Sequence, residues 1–137
     1  MPKSDFQHLR LSRIDEVILV EVRTKTIQGP ALARELGEEL ARVTAQDWAK
    51  QLLVDFRRTG YLSSTAFAVL FKLVKQFTAL GGRITLCNLG PELRLGAGII
   101  GLERVVEIYD SEAAALAALA DPGPWPSGMP EPLRLSC

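Results

Sequence analysis

The stretch that decides the fold is Gln51-Leu-Leu-Val-Asp-Phe56, followed by Tyr61-Leu-Ser-Ser-Thr-Ala-Phe-Ala-Val-Leu70. The first run is apolar and of strand length. In the second, Phe67, Leu70, Phe71, Val74 and Phe77 recur on one face of a helix that reaches Leu80. Gly81-Gly82 then ends it. Ser63, Ser64 and Thr65 therefore sit at a strand-to-helix junction. A helix N-terminus is electropositive and has unpaired backbone N–H groups. A hydroxyl there can cap the helix, and it can also carry or hold a phosphate.

Toward the N-terminus, His8-Leu-Arg-Leu-Ser12 alternates apolar and polar, as a half-buried strand does. Val17-Ile-Leu-Val-Glu-Val22 reads as a second, more buried strand, and the short gap favours an antiparallel hairpin. Residues 1–7 are polar and expected to be loose, and Arg23–Gly29 is expected to be loop. Pro30 suits the first turn of a helix. Leu32, Leu36, Leu40 and Val43 give that helix one apolar stripe. Arg34, Glu35, Glu38, Glu39 and Arg42 are expected to form its solvated face, and Trp48 beyond it to pack over one edge of the core.

Toward the C-terminus, Arg83-Ile-Thr-Leu-Cys-Asn88 is expected to form a strand, Glu92 to about Ala97 a short helix, and Val105–Ile108 a last strand. Asp110 or Ser111 caps an alanine-rich helix to about Ala120. The order β-β-α-β-α-β-α-β-α implies an α/β fold, with a mostly parallel sheet, right-handed crossovers and an antiparallel N-terminal hairpin. Three segments result: a flexible N-terminus (1–7), one domain (8–120) and a tail (121–137). Five prolines in the tail exclude regular structure, and Trp125 is its one residue suited to docking.

Composition narrows the function. The 137 residues are 47% hydrophobic and 23% charged, ordinary for a soluble globular protein. Sixteen basic and sixteen acidic residues, with no basic block, argue against nucleic acid. No apolar stretch approaches the ~20 residues of a membrane span. Two cysteines, Cys87 and Cys137, give neither a disulfide framework nor metal-ligand spacing. A reduced, cytoplasmic protein without cofactor or metal is expected.

Gly96-Ala-Gly-Ile-Ile-Gly101 spells G-x-G-x-x-G, but it closes a helix instead of opening one after a strand, so no dinucleotide site follows. Glycines 96 and 98 are expected to weaken that helix and bring its backbone close to the sheet. His8, the only histidine, is too close to a chain terminus to serve well as a catalytic base. Cys87 reads as a small core residue. Asp55 and Asp110 lie near strand ends, where α/β sheets bind ligands; with the hydroxyl run they are the only basis for an enzyme or a metal. For Ser63–Thr65 both readings stay open, a cap contributing about 0.5–2 kcal/mol and a phosphorylation switch.

Leu52-Leu-Val-Asp-Phe56, Tyr61–Leu70, Gly81-Gly-Arg-Ile-Thr-Leu-Cys-Asn88, Pro91 and Gly101-Leu102 together resemble the STAS domain of bacterial anti-sigma factor antagonists over about residues 8 to 120. That family shows an apolar strand ending in Asp, then Asp-Ser-Ser/Thr-Gly-Leu-Gly-Val-Leu, a helix, Gly-Gly, a strand, Pro, and a Gly-Leu pair. The resemblance implies a STAS-like sandwich. It places Ser64 at the phosphoacceptor and Thr65 at a possible second acceptor. Ser63 stands where the family has Asp, and Ala66 and Ala68 replace two glycines. Leu-Ser-Ser in place of Ile-Asp-Ser resembles a divergent branch associated with planctomycete-like bacteria.

The resemblance implies a non-enzymatic module that binds an anti-sigma factor of the serine-kinase type and is reset by a cognate serine phosphatase. Ser63, Ala66 and Asp55 would form the cap and partner surface, and the chain would be a monomer or weak homodimer. Phosphorylation adds about −1.5 to −2 charges, which a helix N-terminus tolerates and an interface does not. The alternative is a STAS scaffold or a module for small ligands or nucleotides, without phosphorylation.

Overall fold

Alternating apolar residues build the hairpin that starts the sheet. The computed structural model describes residues 6–120. Strands β1 (Leu9–Ile14) and β2 (Val17–Val22) pair antiparallel around the two-residue turn Asp15-Glu16. Asp15 takes a positive φ of 53° there, a conformation Asp tolerates better than most residues. The chain continues through β3 (Thr26–Ile27), α1 (Gly29–Thr44), β4 (Gln51–Asp55), β5 (Tyr61–Leu62), α2 (Ser64–Ala79) and β6 (Arg83–Cys87). It ends in α3 (Pro91–Ile100), a 3-10 turn (Leu102–Arg104), β7 (Glu107–Tyr109) and α4 (Glu112–Ala120).

The main sheet has the order β1-β2-β4-β6-β7, and every pair after the hairpin is parallel. Because strand side chains alternate in direction, the sheet serves two cores. Ile18, Val20, Leu52, Val54, Ile84 and Leu86 face the larger one, with α1, α2 and α3. Leu53 and Cys87 face the smaller one, closed by Ala115 and Leu119 of α4. Three helices on one face and one on the other make the expected α/β sandwich.

Several expectations need correction. Arg23–Gly29 is not all loop, because Thr26-Ile27 pairs with Tyr61-Leu62 as a separate two-stranded parallel sheet. Tyr61-Leu62 therefore precedes α2 and does not open it. Strands of two residues carry no readable periodicity and exist only through each other's hydrogen bonds. The last strand lies at Glu107–Tyr109, because the 3-10 turn draws the Val105 and Val106 N–H groups back to the Leu102 carbonyl. Helix α3 runs through both internal glycines to Ile100 and stops at Gly101, whose φ of 78° suits a helix end. Gly96 approaches a helix, not the sheet. A Cβ there would lie 2.4 Å from Cε2 of Phe67 on α2.

The outer face of α1 is not wholly solvated. Glu39 is 6% exposed and accepts the backbone N–H groups of Gln7 and His8, each at 2.9 Å. Glu35 is 3.0 Å from Nε2 of the buried His8, whose Nδ1 meets Thr24 Oγ1 at 2.5 Å. Phe6 packs on the core with the Arg42 guanidinium 4.6 Å from its ring centre. Residues 6 and 7 are thus held by contacts, and residues 1–5 lie outside the described residues. Trp48 packs against the main core. The tail 121–137, with Trp125 and Cys137, lies outside the described residues.

Candidate functional site

Three backbone hydrogen bonds place the hydroxyl run. The Gly60 and Tyr61 N–H groups donate to the Lys25 carbonyl at 2.8 and 3.3 Å, and the Ser63 N–H donates to the Ile27 carbonyl at 2.8 Å. These bonds dock the loop after β4 onto β3 and aim the chain into α2. Ser63 is extended at the N-cap, and its Oγ accepts the Ala66 N–H at 3.2 Å. Its carbonyl accepts the Phe67 N–H at 3.0 Å, the first bond of the helix ladder.

With Ser63 turned back as the cap, Ser64 is the first helical residue and is exposed, as is Thr65. No acidic side chain stands in this first turn. The positive end of α2 is therefore not neutralised from within its own first turn, and a phosphate on Ser64 would meet a favourable field. Ala66 and Asp55 lie beneath the surface. Ala66 is fully buried under the helix start. Asp55, at 1% exposure, points to the α4 side of the sheet because it shares its face with Leu53.

Asp55 works inside the fold. Its Oδ1 accepts the Arg57 N–H at 2.8 Å and Asn88 Nδ2 at 3.0 Å, tying the loops after β4 and β6 together. Glu112, at the start of α4, lies against it. Burial, a hydrogen bond to Asp55 and the Asp55 charge raise the Glu112 carboxyl above its usual range, with Arg57 opposing. Burial, with the charges of Asp55 and Glu112, pushes the Cys87 thiol up to about 12, so it stays protonated and inert.

Two depressions flank the junction. A groove of about 610 Å³ runs between the start of α2 and α3, with Ser64 and Glu92 on its edge and Tyr61, Phe67, Leu95 and Ile99 among its walls. Leu95 and Ile99 are 67% and 81% exposed. Leu93 and Ala97 form the buried stripe of α3, so Leu95 and Ile99 are a second, outward stripe. That second i, i+4 pair is present in the sequence, but spacing alone does not tell it from the buried one.

A more open cleft of about 580 Å³ lies at the strand ends, with Lys25, Arg57, Arg58, Gly60, Asn88 and Asp110 along it. Asp110 pairs with Arg94 at 3.1 Å. Asp55 is not part of this cleft, and Ser64 opens onto the other depression. The groups an enzyme reading requires together are therefore apart. Among the described residues no cluster of three His, Cys, Asp or Glu could hold a metal ion, and no helix is long and apolar enough to cross a membrane.

This geometry has counterparts. The pattern of the STAS domain family matches residues 9–115. The Bordetella bronchiseptica protein BtrV, a predicted anti-sigma factor antagonist, is 27% identical over 110 residues, covering 80% of this chain and 92% of BtrV. The crystal structure of a predicted anti-sigma factor antagonist from Thermotoga maritima superposes with a TM-score of 0.72 at 15% identity, covering 83% of this chain and 96% of that one. The phosphorylated form of SpoIIAA, a Bacillus cell fate determinant, superposes with a TM-score of 0.61 at 15% identity, covering 81% and 98%.

Proposed function

We propose, from the premise that this chain belongs to the STAS domain family, that it is a non-enzymatic regulatory module of the anti-sigma factor antagonist type, switched by phosphorylation of Ser64. The observation that carries this reading is the position of Ser64. It is exposed, first in α2, beside a capping Ser63 and on the edge of an apolar groove. The likeness to BtrV supports the partner class, an anti-sigma factor. In its unmodified form the chain docks that factor, a serine kinase, through the α2–α3 end. The phosphate adds about −1.5 to −2 charges and three acceptor oxygens. The helix end accommodates them, whereas the interface would have to desolvate them next to Glu92, so binding is lost while the fold persists. A cognate serine phosphatase resets the cycle, and Thr65, also exposed, is a possible second acceptor.

Incubation with the serine-kinase-type anti-sigma factor of the same genome and ATP, followed by peptide mapping by mass spectrometry, tests this. Label is expected on Ser64, with loss of binding for Ser64→Glu. No label on Ser64, together with an unchanged affinity for Ser64→Glu, would overturn it. A second reading keeps the fold without the switch, as a scaffold or a module for small ligands or nucleotides. The Ser63 cap bond favours it, since the hydroxyl run then has a sufficient structural use. Equal cellular function of Ser64→Ala and wild type would select that reading.

A further inference from the structure

The cleft beside the α2–α3 groove carries positive charge that the groove does not. Arg57 and Arg58 have side chains 65% and 53% exposed, and both reach the same carboxylate, Glu21, at 3.5 and 3.7 Å. These are long separations, and one carboxylate serves two guanidinium groups, so little of their charge is spent within the fold. Lys25 has no carboxylate partner within 4.0 Å among the described residues. Of the acids in this corner, Asp55 is sealed from solvent in two hydrogen bonds and Glu112 is turned toward Asp55. Asp110, on the cleft wall and 92% exposed, pairs with Arg94, so three cations share the cleft with one exposed carboxylate.

Cleft and groove also adjoin at Gly60-Tyr61. Lys25 and Gly60 line the cleft, Tyr61 lines the groove, and the Lys25 carbonyl holds the Gly60 and Tyr61 N–H groups. A partner that seats an apolar side chain against Tyr61, Leu95 and Ile99 thus meets three cations at the adjoining edge.

We propose that the partner-binding surface is bipartite and selects an acidic protein segment, with carboxylates on Lys25, Arg57 and Arg58 next to an apolar anchor in the α2–α3 groove. Openness favours a protein segment over a small anion. Side chains that are more than half in solvent form a shelf and not an enclosing site, and the apolar area beside them has no use for an inorganic ion. The inference rests on the proposed switch only for its consequence. A phosphate on Ser64 would add negative charge to a surface that recruits carboxylates, so the basic shelf strengthens the discrimination.

The test is a titration of the 15N-labelled chain with a short peptide in which a leucine precedes a run of glutamates. A second peptide replaces glutamate by lysine, and inorganic phosphate is the third probe. The expected result is saturable shifts at residues 25, 57–61 and 95–99 for the acidic peptide alone. The affinity should fall with added salt, and fall roughly tenfold in the Arg57→Ala/Arg58→Ala double variant. Equal binding of the lysine peptide, shifts elsewhere, or an unchanged affinity in the double variant would overturn the proposal. So would phosphate competing fully for the same amides, which would make the cleft a small-anion site. Kinase labelling is independent of this titration. Peptide binding without label on Ser64 removes the switch and leaves the acidic specificity. Label without peptide binding does the reverse.

Discussion

Helices α2 and α4 begin in the same way and end up with different roles. Each starts with a serine whose Oγ accepts the N–H three residues on, Ser63 to Ala66 at 3.2 Å and Ser111 to Ala114 at 3.0 Å. Each of these serines also gives its carbonyl to the N–H four residues on. The first helical residue separates them. In α4 it is Glu112, a carboxyl that occupies the positive helix end and leans on buried Asp55. In α2 it is Ser64, neutral and exposed. The same local motif therefore gives one helix end that is already filled by an acid and one that is open to an incoming negative charge. A cap identifies a helix start; its neighbours across the fold decide whether that start is structural or available for regulation.

Removing the buried acid on which Glu112 leans should have the largest effect. Asp55→Ala leaves the Arg57 N–H and Asn88 Nδ2 without their acceptor. At about 1–3 kcal/mol for each orphaned donor, a loss of about 3 kcal/mol is expected in urea unfolding. The Glu112 carboxyl should then titrate closer to its ordinary range by NMR.

The caps themselves should come next, and unequally. Ser63→Ala should cost about 1 kcal/mol, because its bond is partly buried and α2 packs on the main core. Ser111→Ala should cost about 0.5 kcal/mol, because its bond is exposed. Denaturant midpoints of the two variants side by side would check this, and a larger loss for Ser111→Ala would break the comparison.

Glu112 predicts a pH dependence of definite sign. Its carboxyl is raised by burial and by Asp55, so the folded chain holds the proton more tightly than the unfolded one. Its stabilising contribution is complete below the ordinary carboxylate range and is lost as pH rises through the raised value. Glu112→Gln, which cannot ionise, should flatten that slope and be more stable than wild type above it. Unfolding curves across this range would show it.

The smallest effect on the fold is expected at Ser64. Phosphorylated protein, or Ser64→Glu, should unfold within about 0.5 kcal/mol of wild type, because the α2 end favours the charge. A large destabilisation would mean that this end is less open than α2 indicates.

Much of this was legible locally. The strand and helix order, the hairpin, the Gly81-Gly82 stop and the Ser63 position all follow from periodicity and turn chemistry, which neighbours in the chain dictate. Glu39 was not legible. It sits among charged residues in sequence, yet folding brings the backbone N–H groups of residues 7 and 8 onto it. Asp55 ends a strand, which points to a ligand-binding edge, but its direction depends on which sheet face α4 covers.

The α/β order and the capped start of α2 follow from the chain's local pattern, because these rest on spacings of two to four residues. The pairing of Thr26-Ile27 with Tyr61-Leu62, the burial of Asp55 and the groove and cleft on either side of the junction arise only on folding. Each of these depends on segments tens of residues apart meeting in space, and no local pattern encodes that meeting.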